Sequence, residues 1–243
     1  MFALSARLGR NNRAARDAWI ATQLSKLPHG TRLLDAGAGT QPYRTLCTHL
    51  HYVAQDFAAY DGHGDGTALQ MRTWHYAGLD VISDIARLPF ADETFDAVLC
   101  SEVIEHVPAP IAVIAELARV LRPGGELLLT APATALTHFA PYFFHSGFSR
   151  HWYEHHLPAV GLRIVALEAN GNYFATLAQE LRRVPKVAKT YGGTSRFTRF
   201  LLRFVSRVLL ALLGPTARRD QGSAELTCFG WHVHAVRDAT LDR

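Results

Sequence analysis

The chain has 243 residues, 49% of them apolar and 19% charged, enough to build a sizeable core and to exclude a disordered tail or linker. Its net charge of +4 conceals an asymmetry: residues 182–219 hold ten basic residues and no acidic one, against fifteen basic and twenty-one acidic residues elsewhere. Three scattered cysteines, Cys47, Cys100 and Cys228, indicate neither a disulfide framework nor a zinc knuckle and fit a reducing, cytoplasmic compartment.

Residues 1–30 read as a helical arm leading into Trp19 and Ile20. They lack the unbroken apolar run of a signal peptide, although their arginines leave a transit peptide as the compositional alternative. Residues 31–36 predict a buried strand running straight into Gly37-Ala38-Gly39. A helix over 43–50 and a strand over 52–56 follow, then a Gly/Asp-rich loop at 61–66 and strands at 81–84 and 95–100. Pro110 opens a helix whose Ile111, Ile114, Leu117, Ala118 and Leu121 recur at helical spacing. Arg122-Pro123-Gly124-Gly125 predicts a tight turn ahead of a strand at 126–130. Strands alternating with helices imply a doubly wound α/β fold, a parallel sheet covered on both faces. Beyond an aromatic, His-rich stretch at 133–149, helices are expected at 150–160, 173–184 and 197–213, and strands at 162–167 and 226–236.

Ligands of such a sheet bind beyond the carboxyl ends of its strands, so the glycine turn after the first strand is the first place to look. Leu33-Leu34-Asp35-Ala36-Gly37-Ala38-Gly39-Thr40 resembles motif I of the class I S-adenosylmethionine (SAM)-dependent methyltransferases, of the methyltransferase type 11 kind. Asp56, Asp84 followed by Ile85, the stretch from Phe95 through Ser101 and Glu102 to Val107, and Leu121-Arg122-Pro123-Gly124-Gly125-Glu126-Leu127 match the same family in order and spacing. The resemblance covers about residues 30–131. It implies a seven-stranded, mostly parallel, Rossmann-like sheet with the last strand antiparallel and an added helical C-terminal segment. Within one domain, residues 31–131 would form the SAM-binding half. Residues 132–243 would supply the acceptor-binding segment, a cationic helical insertion at about 174–219 and the closing strand. The resemblance also implies SAM as cofactor, with Asp56 on the ribose hydroxyls, Asp84 and Ile85 at the adenine, and Asp35, Gly37, Gly39, Ser101 and Glu102 completing the site.

Plainer readings stand beside these. Asp35 can brace the glycine turn, Asp56 and Asp84 can be ordinary strand-end carboxylates, and Glu102 and Glu105 can be solvated or held by local backbone. A nicotinamide-dinucleotide site needs a third glycine where Pro42 stands, an imino acid with no amide to offer a pyrophosphate.

Methyl transfer from a sulfonium is an in-line displacement, and a general base is needed only where a hydroxyl must lose its proton. His106, His138 and His145 are the candidate bases, the alternative being that they merely line or brace a loop. His151 and His155 stand four apart without a third ligand, so no metal site is expected. The place after the fourth strand reads Ser101-Glu102-Val103-Ile104. It carries neither the Asn/Asp-Pro-Pro-Tyr of the family's amino-methylating branches nor a Pro-Cys pair. The expected acceptor is therefore a small molecule, or one linked to a sugar or lipid, methylated at oxygen; nucleic acid is not expected. Arg196, Arg199, Arg203 and Arg207 line one stripe of the helix over 197–213, which is too short and too charged to span a bilayer. Its apolar face either packs inside the fold or against a second subunit in a homodimer, or it lies on an anionic membrane, placing a cytoplasmic protein at the inner face. A scaffold that binds SAM without catalysis is the other functional class to weigh.

Overall fold

The computed structural model describes residues 8–239 apart from 72 and 77, so the first seven residues of the expected N-terminal arm lie outside the described residues. Among the described residues the arm contains one helix, α1 (Asn12–Leu24), which buries Trp19, Ile20 and Leu24. These side chains join Leu33, Leu99 and Leu128 of the sheet in one cluster, so the arm ends as a layer of the core.

The strands are β1 (Arg32–Ala36), β2 (His51–Asp56), β3 (Val81–Ile82), β4 (Phe95–Ser101), β5 (Leu121–Pro132), β6 (Leu162–Asn170) and β7 (Gly230–Arg237). They form one sheet in the order β3-β2-β1-β4-β5-β7-β6, as the expected fold class requires. Neighbours from β3 through β5 run parallel, and β7 lies antiparallel to β5. After Arg32 every residue of β1 is buried, the near-continuous burial of a strand covered on both faces. β1 pairs with β2 on one side and β4 on the other, so the strand order reverses there and a crevice opens beyond the carboxyl ends. Helix α2 (Pro110–Val120) and helix α3 (Arg150–Ala159) connect the later strands.

Two local expectations fail. Residues 43–50 form only a 3-10 turn at Arg44–Leu46, closed by short-range bonds from Leu46 to Tyr43, Cys47 to Arg44 and Leu50 to Cys47. These tight turns keep Tyr43 and Cys47 in the core while leaving the chain ready to enter β2 at His51. Residues 122–125 are not a turn between helix and strand but a bulge inside β5: Phe95 pairs with Leu121, whereas Ala97 pairs with Glu126. Gly124, at φ 77°, absorbs the extra length.

The chain divides into two compact units, one comprising residues 16–168 with the segment from 230 onward, the other 169–229 with the segment up to 15. The second unit contains α4 (Tyr173–Tyr191) and α5 (Arg196–Arg218), packed on one another. Asn172 caps α4 by accepting from the Ala175 amide at 2.9 Å, and Ser195 caps α5 through the Thr198 amide at 3.0 Å. Helix α5 corrects the sequence reading of its length: at 23 residues it is long and apolar enough, by length and composition, to cross a membrane. Of its residues only Ser206 and Leu210 are buried.

Candidate active site

The turn after β1 is built by glycines with no room for side chains. Gly37 and Gly39 have φ of 79° and 52°, and an added Cβ would come within 2.4 Å of Val103 Cγ2 and 2.8 Å of Trp74 Cζ2 respectively. The amides of Gly37 and Ala38 donate to the Gln55 carbonyl at 2.9 and 2.8 Å, and the Gly39 amide donates to Asp56 Oδ2 at 2.9 Å. Asp56 Oδ1 accepts from the Ala58 amide at 2.9 Å. Asp56 thus ties the glycine turn to the loop after β2. Burial raises its pKa, a rise that these backbone amides oppose only in part.

Asp35 is buried inside the turn and accepts from the Tyr52 hydroxyl at 2.5 Å. Burial pushes its pKa up to about 7; the Tyr52 bond lowers it and nearby Asp56 adds to the rise. The two carboxylates therefore differ: Asp56 is fixed by backbone, whereas Asp35 is a desolvated acid that a cation would help to ionise. Asp84 is exposed two residues beyond β3, accepting from the Ala86 amide at 2.9 Å, and Ile85 beside it is buried. The side chain of Gln55 reaches the Ser83 carbonyl at 2.6 Å and steadies that segment.

A second polar group gathers where α1 meets the ends of β4 and β5. Arg16 Nη1 lies 2.6 Å from Glu102 Oε2, and the Tyr43 hydroxyl donates to Asp17 Oδ1 at 2.8 Å. Ser101 and Thr130 hydroxyls meet at 3.0 Å, and the Thr130 hydroxyl reaches Glu102 Oε1 at 3.2 Å. Ser101 and Glu102 are thus brought together, Glu102 by side-chain partners rather than by solvent.

Of the candidate bases, His106 and His138 meet with ring centroids 4.7 Å apart, each ring Nδ1 facing a main-chain carbonyl: Tyr142 at 2.5 Å and Leu136 at 2.9 Å. His106 is held neutral, burial lowering its pKa to about 4 with His138 adding to the fall and the Tyr142 carbonyl opposing it. Its Nε2 lies 3.7 Å from Oε1 of Glu105, a buried carboxyl with no hydrogen-bond partner for either oxygen among the described residues. Burial and nearby Glu102 hold the Glu105 pKa well above the usual carboxylate range. Glu105, His106 and His138 each bring a donor atom within 4.8 Å of the others, a grouping that admits a cation where no metal ligand was expected. His145 goes elsewhere: it packs on Phe148 and lines a separate open cleft of about 420 Å³ with Pro110 and Trp152. His151 is exposed and bonded to Glu154 at 3.0 Å.

Above the glycine turn the long loop of residues 57–80 and the stretch 133–149 are stitched together. The Leu69 amide donates to the Thr137 carbonyl and the Phe139 amide to that of Leu69, both at 3.2 Å. Tyr60, Trp74 and Phe139 pack edge to face at 4.5 to 5.7 Å, and His106 meets Phe139 at 5.0 Å. The result is an aromatic cover over the crevice. Sequence reasoning missed Arg16, Asp17, Tyr52, Gln55 and Trp74. Only Tyr52 and Gln55 carry a sequence signal, through their places on the strand beside motif I.

Residues 34–129 match the family of methyltransferase domains. The chain is 35% identical over 116 residues to an uncharacterized methyltransferase of Mycobacterium tuberculosis, covering 47% of this chain and 44% of that protein. The chain therefore spans less than half the length of the mycobacterial relatives it matches. It is 28% identical over 173 residues to the ubiquinone/menaquinone biosynthesis C-methyltransferase of Desulfotalea psychrophila, covering 68% of this chain and 65% of that one. Among solved structures the cyclase SpnF superposes with a TM-score of 0.54 at 20% identity, covering 93% of this chain and 82% of its own. The family match runs from motif I through β5, over the sheet order and glycine turn described above, so residues 34–129 resemble a methyltransferase domain.

Proposed function

We propose that the chain binds SAM across the turn of residues 35–39 and transfers its methyl group to a small-molecule, sugar- or lipid-linked acceptor, at oxygen. The observation that carries this reading is the placement of charge: buried Asp35 beside the glycine turn, Asp56 against the Gly39 amide, and Arg16 and Asp17 within α1. When bound, the cofactor supplies an electrophilic methyl group on a sulfonium and needs no further activation.

Each residue has a task that follows from its chemistry. Asp56 offers lone pairs to the ribose hydroxyls, and Asp84 with Ile85 offers an acceptor and an apolar wall to the adenine. Arg16, whose buried Nε has no hydrogen-bond partner among the described residues, fits the α-carboxylate of the methionine end, and Asp17 its ammonium. Ionised Asp35 supplies a second negative charge beside the turn. The aromatic cover of Tyr60, Trp74 and Phe139 excludes water and favours a ring-bearing or apolar acceptor. Because the Tyr142 carbonyl accepts a hydrogen bond from His106 Nδ1–H, the lone pair falls on Nε2, the atom that would accept a hydroxyl proton beside Glu105.

Two other readings have specific support. Similarity to a quinone-biosynthesis C-methyltransferase favours attack by carbon. A cyclase on the same fold shows that the fold alone does not require methyl transfer, which keeps a SAM-binding scaffold in view. Incubation with SAM and extracted metabolites and lipids tests all three. The expected result is S-adenosylhomocysteine together with a product heavier by one methylene, the acceptor atom being read from its spectrum. Calorimetric binding of SAM without product would support the scaffold, and no heat with SAM or its demethylated product would overturn the cofactor assignment.

A further inference from the structure

Helix α5 carries three longitudinal zones that the sequence stripe alone does not resolve. At about 100° per residue, Leu202, Ser206, Leu210 and Leu213 fall on one narrow strip, and these four are buried or half-buried. Arg196, Arg203, Arg207 and Arg218 fall beside that strip, all exposed. The remaining half of the circumference, about 180°, holds Phe197, Phe200, Leu201, Phe204, Val205, Val208, Leu209 and Leu212. Every one of these is exposed, Phe197 by 74%, Phe200 by 67% and Leu212 by 66%. Eight large apolar side chains on one continuous face far exceed the scattered exposure normal for a soluble surface.

We infer that this face is a membrane-docking surface, and that α5 lies in the plane of an anionic lipid interface with its phenylalanines at the acyl boundary and its arginines among the headgroups. The charge selects the partner. Residues 182–219 hold ten cations and no acidic side chain, so a second copy of the chain would meet the arginine row with more arginine, whereas an anionic bilayer neutralises it. Lys186, Lys189 and the exposed Tyr191, at the end of α4 joined to α5 through residues 192–195, extend the same character. The orientation follows from the zones. A crossing helix would carry Arg203 and Arg207 through hydrocarbon, while a helix lying flat keeps the whole row at one level. This surface would bring the chain to a lipid-linked acceptor, but its existence does not depend on the proposed reaction.

The test is co-sedimentation of the full chain with vesicles of phosphatidylcholine alone and of equal parts phosphatidylcholine and phosphatidylglycerol. The chain is expected to pellet with the anionic vesicles and to be released by salt. Arg203→Gln and Arg207→Gln should each weaken binding about fivefold, and Phe204→Asp by more than either. Unchanged circular dichroism and unchanged heat of SAM binding would show these variants to be folded. Absence of pelleting, or pelleting indifferent to Phe204→Asp, would overturn the proposal. So would a concentration-dependent dimer dissolved by Phe204→Asp, which would assign the face to a second copy, or retention in cell membranes through alkaline carbonate, which would make α5 a spanning helix. Vesicle binding without any SAM heat would sink the proposed function and leave this surface standing.

Discussion

β4 and α5 are both rich in large apolar residues, and they meet opposite ends. In β4 the residues from Ala97 through Cys100 are completely buried, and Phe95 is among the largest fully buried side chains in the protein. In α5 two residues of twenty-three are buried. A central strand has a neighbour on each edge and a layer over each face, so its apolar run finds partners in every direction. A helix with one packed strip leaves the rest of its circumference to whatever meets it from outside. Apolar content therefore measures a demand for burial, and only the surrounding elements decide whether the chain meets that demand itself.

The contrast is sharpest in stability. Phe95→Ala should lower the unfolding free energy by about 3–5 kcal/mol, the usual cost of a cavity at a fully buried aromatic position, measured by chemical denaturation. A loss below about 1 kcal/mol would mean that β4 is not the packed centre that its burial implies.

Next in size is the chemistry placed over that centre. His106→Ala should lower kcat by about 10²- to 10⁴-fold if an acceptor hydroxyl is deprotonated at Nε2, while the calorimetric signal of SAM binding persists. His145→Ala, on a separate cleft, should leave kcat within a few-fold of the parent. Equal losses for both variants would show that the aromatic stretch acts as one packed unit and that neither imidazole is the base.

Asp35 ties stability to binding. Its folded pKa of about 7 lies above the ordinary value of 3.8, so the folded state keeps a proton that the unfolded state has already lost. Stability should therefore fall as pH rises from about 4 to about 7 and level off beyond it. Affinity for the cationic cofactor should rise across the upper part of that window as the carboxylate ionises. Asp35→Asn should flatten both curves, raise the neutral-pH melting temperature of the free protein and weaken SAM by roughly tenfold or more. A variant as pH-sensitive as its parent would place the titration elsewhere.

These predictions draw unequally on what the sequence discloses. β1, the glycine turn and α2 are legible because each is specified locally, by a motif or by helical spacing that starts at Pro110. Tyr52 was within reach: it pairs with Leu33, two residues before Asp35 on the same face of the sheet, so the β1/β2 register alone brings its hydroxyl to the carboxylate. Arg16 and Trp74 were not. They reach the site from an N-terminal helix and a long loop whose courses no local pattern fixes, and the Glu105–His138 proximity likewise exists only once residues 133–149 have folded back. The helix expected over 43–50 failed for the converse reason, since a locally plausible helix yielded to the need to enter β2 at His51.

The smallest expected effect is the most discriminating for the comparison. Phe204→Ala and Leu212→Ala remove as much apolar surface as substitutions that would be severe in β4, yet both side chains are exposed by more than half. Each should change the unfolding free energy of the dilute protein by no more than about 0.5 kcal/mol. A larger loss would mean that the face is covered in solution, and its dependence on protein concentration would say by what. A loss that grows with concentration points to a second copy, because only an associated state gains stability by mass action. If stability is unmoved while vesicle binding falls, the apolar residues of α5 serve contact with lipid and those of β4 serve the fold.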